Sequence, residues 1–161
     1  MTCLLNRSEI QRDMAEVSFY HLLSTPLERA LPRLLERALG QGHRIVVQAG
    51  SPERVEHLNA LLWTYDEAGF LPHGSSRDGN APAQPIWLTD RPENPNGATI
   101  LFLVDGVAVE DLDGFTRCID MFAGSDPDAV QAARGRWRAA SAAGHTLAYW
   151  QQTGKGWEKK A

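Results

Sequence analysis

The feature that most constrains the fold of this chain is a regular alternation of short apolar runs with segments that begin at helix-capping residues. The apolar runs are rich in the β-branched and aromatic residues typical of strands. They lie at 17–23, 44–49, 86–89, 99–104, 118–122 and 145–151. Three helix starts are predicted between them, where a capping residue precedes a proline, at Thr25, Ser51 and Asp126. Alternating strands and helices predict an α/β fold with a mostly parallel, twisted sheet and helices on both faces.

The length of the chain fits one globular domain with a short extension at each end. A chain of 161 residues with 43% apolar residues can bury a core of its own. Residues 1–14 carry few apolar side chains, so we expect a disordered extension, and Met14 offers a second start site. Residues 15–152 should form the α/β domain, and residues 153–161 a polar, basic tail.

The segment from 67 to 85 is dense in Gly, Pro, Ser and Asn, which predicts a long loop. Long loops inside a compact domain are commonly functional. No stretch of about 18 apolar residues is present that could span a membrane. Residues 1–14 lack the apolar core of a signal peptide, and Cys3 and Cys118 are too far apart in sequence to suggest a disulfide framework. We therefore expect a cytoplasmic protein.

The charge of the chain is unevenly distributed. Residues 131–161 hold six Lys or Arg against one acid, a balance of +5, whereas residues 1–130 hold ten against nineteen, a balance of −9. A globally acidic protein is a poor direct binder of nucleic acid, because neutralising phosphates requires a broad basic surface. A compact basic region can still recruit an acidic peptide.

Sequence motifs for cofactors are missing. The chain contains neither G-x-G-x-x-G nor a P-loop, and its five histidines have no metal-ligand spacing, so we predict no cofactor, no metal and no catalytic residue. An alternative stays open, that of a small α/β nucleotide-binding protein or hydrolase. It would use Gly50, in a strand-to-helix turn, as a phosphate cradle, or Asp66 with His73 as an acid–base pair.

Tryptophan and arginine placement points instead to protein binding. On the second predicted helix Trp63 lies off the apolar stripe, which is typical of an interface residue. On the last helix Val130, Arg134, Trp137 and Arg138 share one face, so that two guanidinium groups flank an indole. A neighbouring face carries small residues suited to packing on a sheet, and Arg136 should extend from that side to solvent. These small residues are Ala129, Ala132, Ala133, Ala139, Ala140 and Ala143.

Several stretches together resemble the chi subunit family of bacterial DNA polymerase III, from about Val17 to Lys160. The most specific is LWTYD-x-x-x-FLPHG, at 62–74, with ARGRW downstream at 133–137. Weaker matches support these. They are FYHLL (19–23), LPRLLERALGQGHRIVV (31–47), QPIWLT (84–89), LFLVDG (101–106) and the distal G-x-x-L-x-Y-W (144–150).

The resemblance implies a Rossmann-like three-layer sandwich without a nucleotide site. It also implies a non-catalytic accessory subunit of the polymerase III holoenzyme. This subunit would attach to the clamp loader through the psi subunit and grip the acidic C-terminal tail of single-stranded-DNA-binding protein. DNA would be contacted only indirectly, and a membrane not at all.

The resemblance further assigns residues to two surfaces. The family's tail-binding positions correspond to Arg134, Trp137 and Arg138, with Ala123 lining the pocket and Val130 beside it. Because the family can carry a larger apolar residue at Ala123, the pocket here should be shallower or filled by Trp137. The surface for the psi subunit, or in some bacteria for a helicase, corresponds to Trp63, Phe70 and Leu71.

Overall fold

The computed structural model describes residues 15–66, 71–109 and 111–161. Within these ranges the chain forms eight strands, three α-helices and a 3-10 turn at Ala81–Ala83. The helices are α1 (Leu27–Gly40), α2 (Pro52–Thr64) and α3 (Pro127–Ala142). The strands are β1 (Glu16–Leu22), β2 (Ile45–Gln48), β3 (His73–Ser75), β4 (Ile86–Thr89), β5 (Ile100–Leu103), β6 (Arg117–Ala123), β7 (Thr146–Thr153) and β8 (Gly156–Lys159).

The strands form one sheet in the order β3-β4-β2-β5-β6-β1-β7-β8. Every neighbouring pair is parallel except β7 and β8, which form an antiparallel hairpin. Helices α1 and α2 pack on one face, referred to below as the leucine face, and α3 packs on the other, the α3 face. The predicted α/β sandwich with a mostly parallel sheet is thus confirmed.

Strand alternation decides which side chains reach each face. In β1, Tyr20 and Leu22 belong to the leucine-face core, whereas Val17 and Phe19 belong to the α3-face core. The leucine face is filled by the buried side of α1, including Leu31 and Leu35. None of the helices among the described residues is long and apolar enough to cross a membrane.

The predicted caps hold at two of the three helix starts. Ser51 Oγ accepts a hydrogen bond from the backbone N–H of Arg54, and the Asp126 carboxylate accepts one from the N–H of Asp128. Thr25 does not cap α1, because the helix begins one residue later, with Pro26 at the N-cap. A side chain from β7 instead holds the segment before the helix, since Gln152 Oε1 accepts hydrogen bonds from the backbone N–H groups of residues 23, 24 and 25.

Three further expectations are corrected. The segment 67–85 is not wholly a loop, because β3 adds an edge strand there. Residues 153–161 are not a free tail, since β8 pairs with β7. Of the alanines expected to pack on the sheet, Ala133 is the one α3 residue that is fully buried within the described part of the chain. The expected disorder of residues 1–14 lies outside the described residues.

Arg136 does not extend to solvent as expected. Its Nε lies 2.6 Å from Asp120 Oδ2 and its Nη2 lies 3.0 Å from Asp120 Oδ1, so it donates two parallel hydrogen bonds to a carboxylate on β6. Asp120 is 3% exposed, which makes this a nearly dry ion pair. The pair attaches α3 to the middle of the sheet.

Candidate ligand pocket between α3 and the sheet

One side of α3 stands over β1, β6 and β7 and leaves an apolar hollow of about 310 Å³, referred to below as the α3 pocket. Three of the four residues that helical periodicity placed on one face of the last helix line this pocket. They are Val130, Arg134 and Trp137. The rest of the lining comes from β1, β6, β7, α3 and the end of the chain. These residues are Phe19, His21, Phe122, Ala133, Tyr149 and Ala161.

Aromatic rings form the floor and wall of the α3 pocket. The Phe19 and Trp137 rings pack with their centroids 5.3 Å apart, and the His21 ring stacks on Phe122 at 4.8 Å. The Tyr149 hydroxyl and His21 Nδ1 lie 2.5 Å apart and share a hydrogen bond. The rings are therefore held by one another, so that the pocket is formed before any ligand arrives.

His21 is kept neutral by its surroundings. Burial lowers the pKa of its imidazole below the usual value, because the charged form loses hydration. Its Nε2 is buried and has no hydrogen-bond partner within the described part of the chain. The same atom lies so close to Gly124 that a side chain at Gly124 would collide with it. The polar atoms of the pocket floor thus belong to His21 and Tyr149, and only His21 Nε2 lacks a partner among the described residues.

The cation of the α3 pocket is Arg134, an exposed residue at its edge. Among the described residues Arg134 forms no ion pair. Its guanidinium is therefore available to a ligand. A carboxylate beside an apolar group would fit this arrangement, because the guanidinium can bind the carboxylate while the apolar group enters the hollow.

Two predicted tail-binding residues lie elsewhere. Arg138 is exposed on α3 but does not line the α3 pocket. Ala123 follows Phe122 at the end of β6 and lines a different hollow of about 780 Å³ at the carboxyl ends of β1 and β6, which Phe122 also borders. The side chain at position 123 therefore does not set the depth of the α3 pocket.

Of the surface predicted for the psi subunit or a helicase, Trp63 and Leu71 lie within the described residues. Trp63 is 54% exposed on α2, and its indole lies 4.5 Å from the His73 ring. Leu71 is 2% exposed and belongs to the leucine-face core, so in this conformation its side chain lies beneath the surface. Phe70 lies outside the described residues.

In the alternative of a nucleotide-binding protein or hydrolase, His73 or the Gly50 turn would belong to the site, but both have contacts of a structural kind. Both ring nitrogens of the buried His73 lie near backbone carbonyl oxygens, Nδ1 at 2.6 Å from Leu71 O and Nε2 at 3.1 Å from Asn59 O. The Gly50 turn lies beside Asp105, whose carboxylate is bound to Arg54. An acid at this turn disfavours a phosphate. No group of three metal-ligating side chains occurs within the described ranges.

Sequence reasoning missed Phe19, His21, Phe122 and Tyr149. In sequence these residues belong to three strands, and only β-sheet pairing brings them together under α3. The available signal was the alternation within 17–22, which puts Phe19 and His21 on the same face of β1.

The fold and pocket define a class of protein: a doubly wound α/β domain whose hollow beside α3 is lined by aromatic side chains and an arginine rather than by a glycine-rich phosphate loop. Residues 14–148 match the family model described as DNA polymerase III chi subunit, HolC. The chain therefore belongs to the chi subunit family, which implies an accessory role in DNA replication.

A curated relative agrees with this assignment. It is described as the probable DNA polymerase III subunit chi of Rickettsia prowazekii (strain Madrid E), and it is 35% identical over 91 residues. The match covers 56% of this chain and 55% of the relative, so the chain spans about half the length of the curated relative it matches.

Proposed function

We propose that this protein is a non-catalytic accessory subunit that links the clamp-loader-associated part of DNA polymerase III to single-stranded-DNA-binding protein. The α3 pocket would hold the acidic C-terminal tail of that protein. The observation that carries the proposal is the exposed guanidinium of Arg134, which forms no ion pair with any other described residue and lies at the edge of a preformed aromatic hollow.

The chemistry of such a tail fits the α3 pocket. A tail that ends in an apolar residue presents a carboxylate next to its last side chain. Arg134 would bind the carboxylate, and the side chain would lie among Phe122, Val130 and Trp137. Arg138, which is outside the lining, would attract the upstream acids without contacting the terminal carboxylate.

We further propose that the surface around Trp63, together with Phe70 seven residues further along the chain, takes the psi subunit or a helicase. A half-exposed indole leaves apolar surface in contact with water, which is unfavourable in an isolated domain and typical of an interface anchor. This surface is on α2, on the leucine face, whereas the α3 pocket is on the other side of the sheet. Both partners could therefore bind at once.

A nucleotide-binding or hydrolytic role is the competing function. We disfavour it because the carbonyl contacts of His73 occupy both nitrogens that a general base would use, and because Asp105 lies beside the Gly50 turn. Calorimetry with nucleotide and with tail peptide separates the two functions directly. Nucleotide binding at micromolar affinity without a response to the peptide would favour the enzyme.

The decisive test is fluorescence anisotropy with a labelled acidic peptide that ends in an apolar residue. We expect Arg134→Glu to weaken binding most, by about 2–5 kcal/mol, because it replaces the carboxylate's partner with a like charge. Trp137→Ala should cost less, since it removes apolar contact but leaves the cation. Arg138→Glu is the matched control, because it makes the same charge change one residue beyond Trp137, outside the lining.

An amidated peptide completes the test. Amidation should weaken binding to the wild type by roughly the same factor as Arg134→Glu, and should have little further effect on that variant. Equal affinity of the wild type and Arg134→Glu, or equal losses in Arg134→Glu and Arg138→Glu, would show that no carboxylate is clamped at this position.

A further inference from the structure

The leucine face carries a second, polar hollow of about 510 Å³ that the proposed function does not use. It lies between the last turns of α1, the start of β6 and the β7–β8 hairpin, and is referred to below as the hairpin pocket. Its cations come from three separate elements: Arg37 from α1, Arg117 from β6 and Lys155 from the hairpin turn.

The charges of the hairpin pocket are uncompensated. None of the described residues that line it is acidic, and no ion pair within the described ranges involves Arg37, Arg117 or Lys155. Glu16 is opposite Arg117 in the β1–β6 register but lies beyond ion-pair distance. In a chain of net charge −4, three cations around one hollow whose described lining holds no acid are the pattern of an anion site.

The hairpin pocket also contains more donors than the protein uses. Arg117 Nη2 donates to the Tyr20 hydroxyl at 3.3 Å, but within the part of the chain that the structure describes the buried Arg117 Nε has no acceptor, and neither has Trp150 Nε1. Buried donors in native proteins are nearly always paired, so two unpaired donors beside one hollow indicate a missing acceptor.

Aromatic rings are interleaved with these cations. The Tyr20 ring lies parallel to Trp150, with centroids 6.0 Å apart, and meets Trp157 edge to face at 4.8 Å. Trp157 is half-buried on the outermost strand, where a planar group can reach it. Cations that follow a backbone, together with aromatic side chains on which bases stack, are the usual elements of a single-strand binding site.

In contrast to the expectation of purely indirect contact with DNA, we propose that the hairpin pocket binds single-stranded nucleic acid, with a backbone phosphate among Arg37, Arg117 and Lys155 and a base against the Trp157 indole. A phosphate fits better than a carboxylate, because its oxygens point in several directions and can meet cations from three elements at once. The site is independent of tail binding, since the two pockets lie on opposite faces of the sheet.

The test is anisotropy of a fluorescein-labelled oligothymidylate of about fifteen nucleotides at about 50 mM salt. We expect micromolar binding that weakens steeply as salt rises. Arg37→Glu and Lys155→Glu, both exposed positions, should each weaken binding about tenfold, and Trp157→Ala should weaken it severalfold. Arg117 is left in place because it supports Tyr20.

Arg91→Glu is the matched control, since Arg91 is exposed, lies outside the hairpin pocket and makes the same change in net charge. It should alter affinity by less than about twofold if the binding is local rather than a response to net charge. The thermal midpoint of each variant checks folding. The tail peptide should bind to Arg37→Glu and Lys155→Glu as it does to the wild type, so failure of one site is distinguishable from failure of the other.

Four results would overturn the proposal. The first is no binding of the oligonucleotide at low salt, and the second is an equal loss in Arg91→Glu. The third is displacement of the oligonucleotide by polyglutamate of the same total charge, which would assign the pocket to an acidic protein segment. The fourth is displacement by inorganic phosphate at the same phosphate concentration, which would mean that no base is recognised.

Discussion

The two faces of the sheet hold their helices by different means. On the leucine face, α1 buries six residues, and Leu31 and Leu35 are wholly inaccessible. On the α3 face, a longer helix has Ala133 as its one buried residue and relies on the Arg136–Asp120 ion pair and on the Trp137 contact with Phe19. The hollow on the leucine face is the polar hairpin pocket, at the last turns of α1. On the other face α3 is attached by a few specific contacts, and the apolar α3 pocket lies beside it.

The largest expected effect compares one phenylalanine from each face. Phe102 is inaccessible in the leucine-face core, beneath the hairpin pocket, whereas Phe122 borders the α3 pocket at 9% exposure. Phe102→Ala should lower the free energy of unfolding by about 3–5 kcal/mol, because it leaves a cavity that cannot collapse. Phe122→Ala should cost clearly less, since its site already opens to solvent. Urea unfolding followed by circular dichroism measures both, and equal losses would refute the contrast between the faces.

The next effect concerns the ion pair that attaches α3. Burial raises the pKa of Asp120, and the Arg136 guanidinium opposes that rise. Arg136→Met should therefore raise the pKa further and leave a buried carboxyl unpaired, lowering the free energy of unfolding by about 3 kcal/mol at neutral pH. Arg138→Met, on the exposed side of the same helix, should change it little.

The stability lost in Arg136→Met should depend on pH. In the variant the folded state keeps the Asp120 proton to higher pH than the unfolded chain, whose aspartates titrate near about pH 4. A folded state that binds more protons than the unfolded state loses stability as pH rises. The deficit of Arg136→Met relative to the wild type should therefore be small near the unfolded pKa and grow toward neutral pH. A deficit that does not change with pH would contradict a buried, paired carboxylate.

The smallest effect concerns the start of α1 on the leucine face. Gln152 Oε1 lies 3.0 Å from the backbone nitrogens of Leu23 and Ser24, and 3.1 Å from that of Thr25. Gln152→Ala should lower the free energy of unfolding by about 1 kcal/mol, because water replaces this acceptor only in part. Gln152→Glu should retain most of the stability, since a carboxylate oxygen can accept the same bonds near a helix N-terminus. If Gln152→Glu lowered the free energy of unfolding as much as Gln152→Ala, the hydrogen bonds accepted by Oε1 would not be the source of the stability.

Most elements could be predicted from the sequence because their signals are local. The strand at 86–89 and the caps at Ser51 and Asp126 occur as expected, and Trp63 is exposed as its position on the helix indicated. Strands β3 and β8 were missed. The first has only three residues, one of them Gly74, and the second is polar enough to look like a tail. Each is a strand because a neighbouring strand pairs with it.

The sequence by itself therefore determined the order and type of the main elements, the absence of a glycine-rich phosphate motif, and the face of the last helix that carries Arg134 and Trp137. Only the tertiary structure decided what lies opposite that face. Tyr149 and His21 are 128 residues apart in sequence but share a hydrogen bond in the α3 pocket, and Arg136 meets Asp120 across 16 residues. Helical and strand periodicity depend on neighbours a few residues away, whereas a pocket depends on which strands pair in the sheet, and no local pattern encodes that pairing.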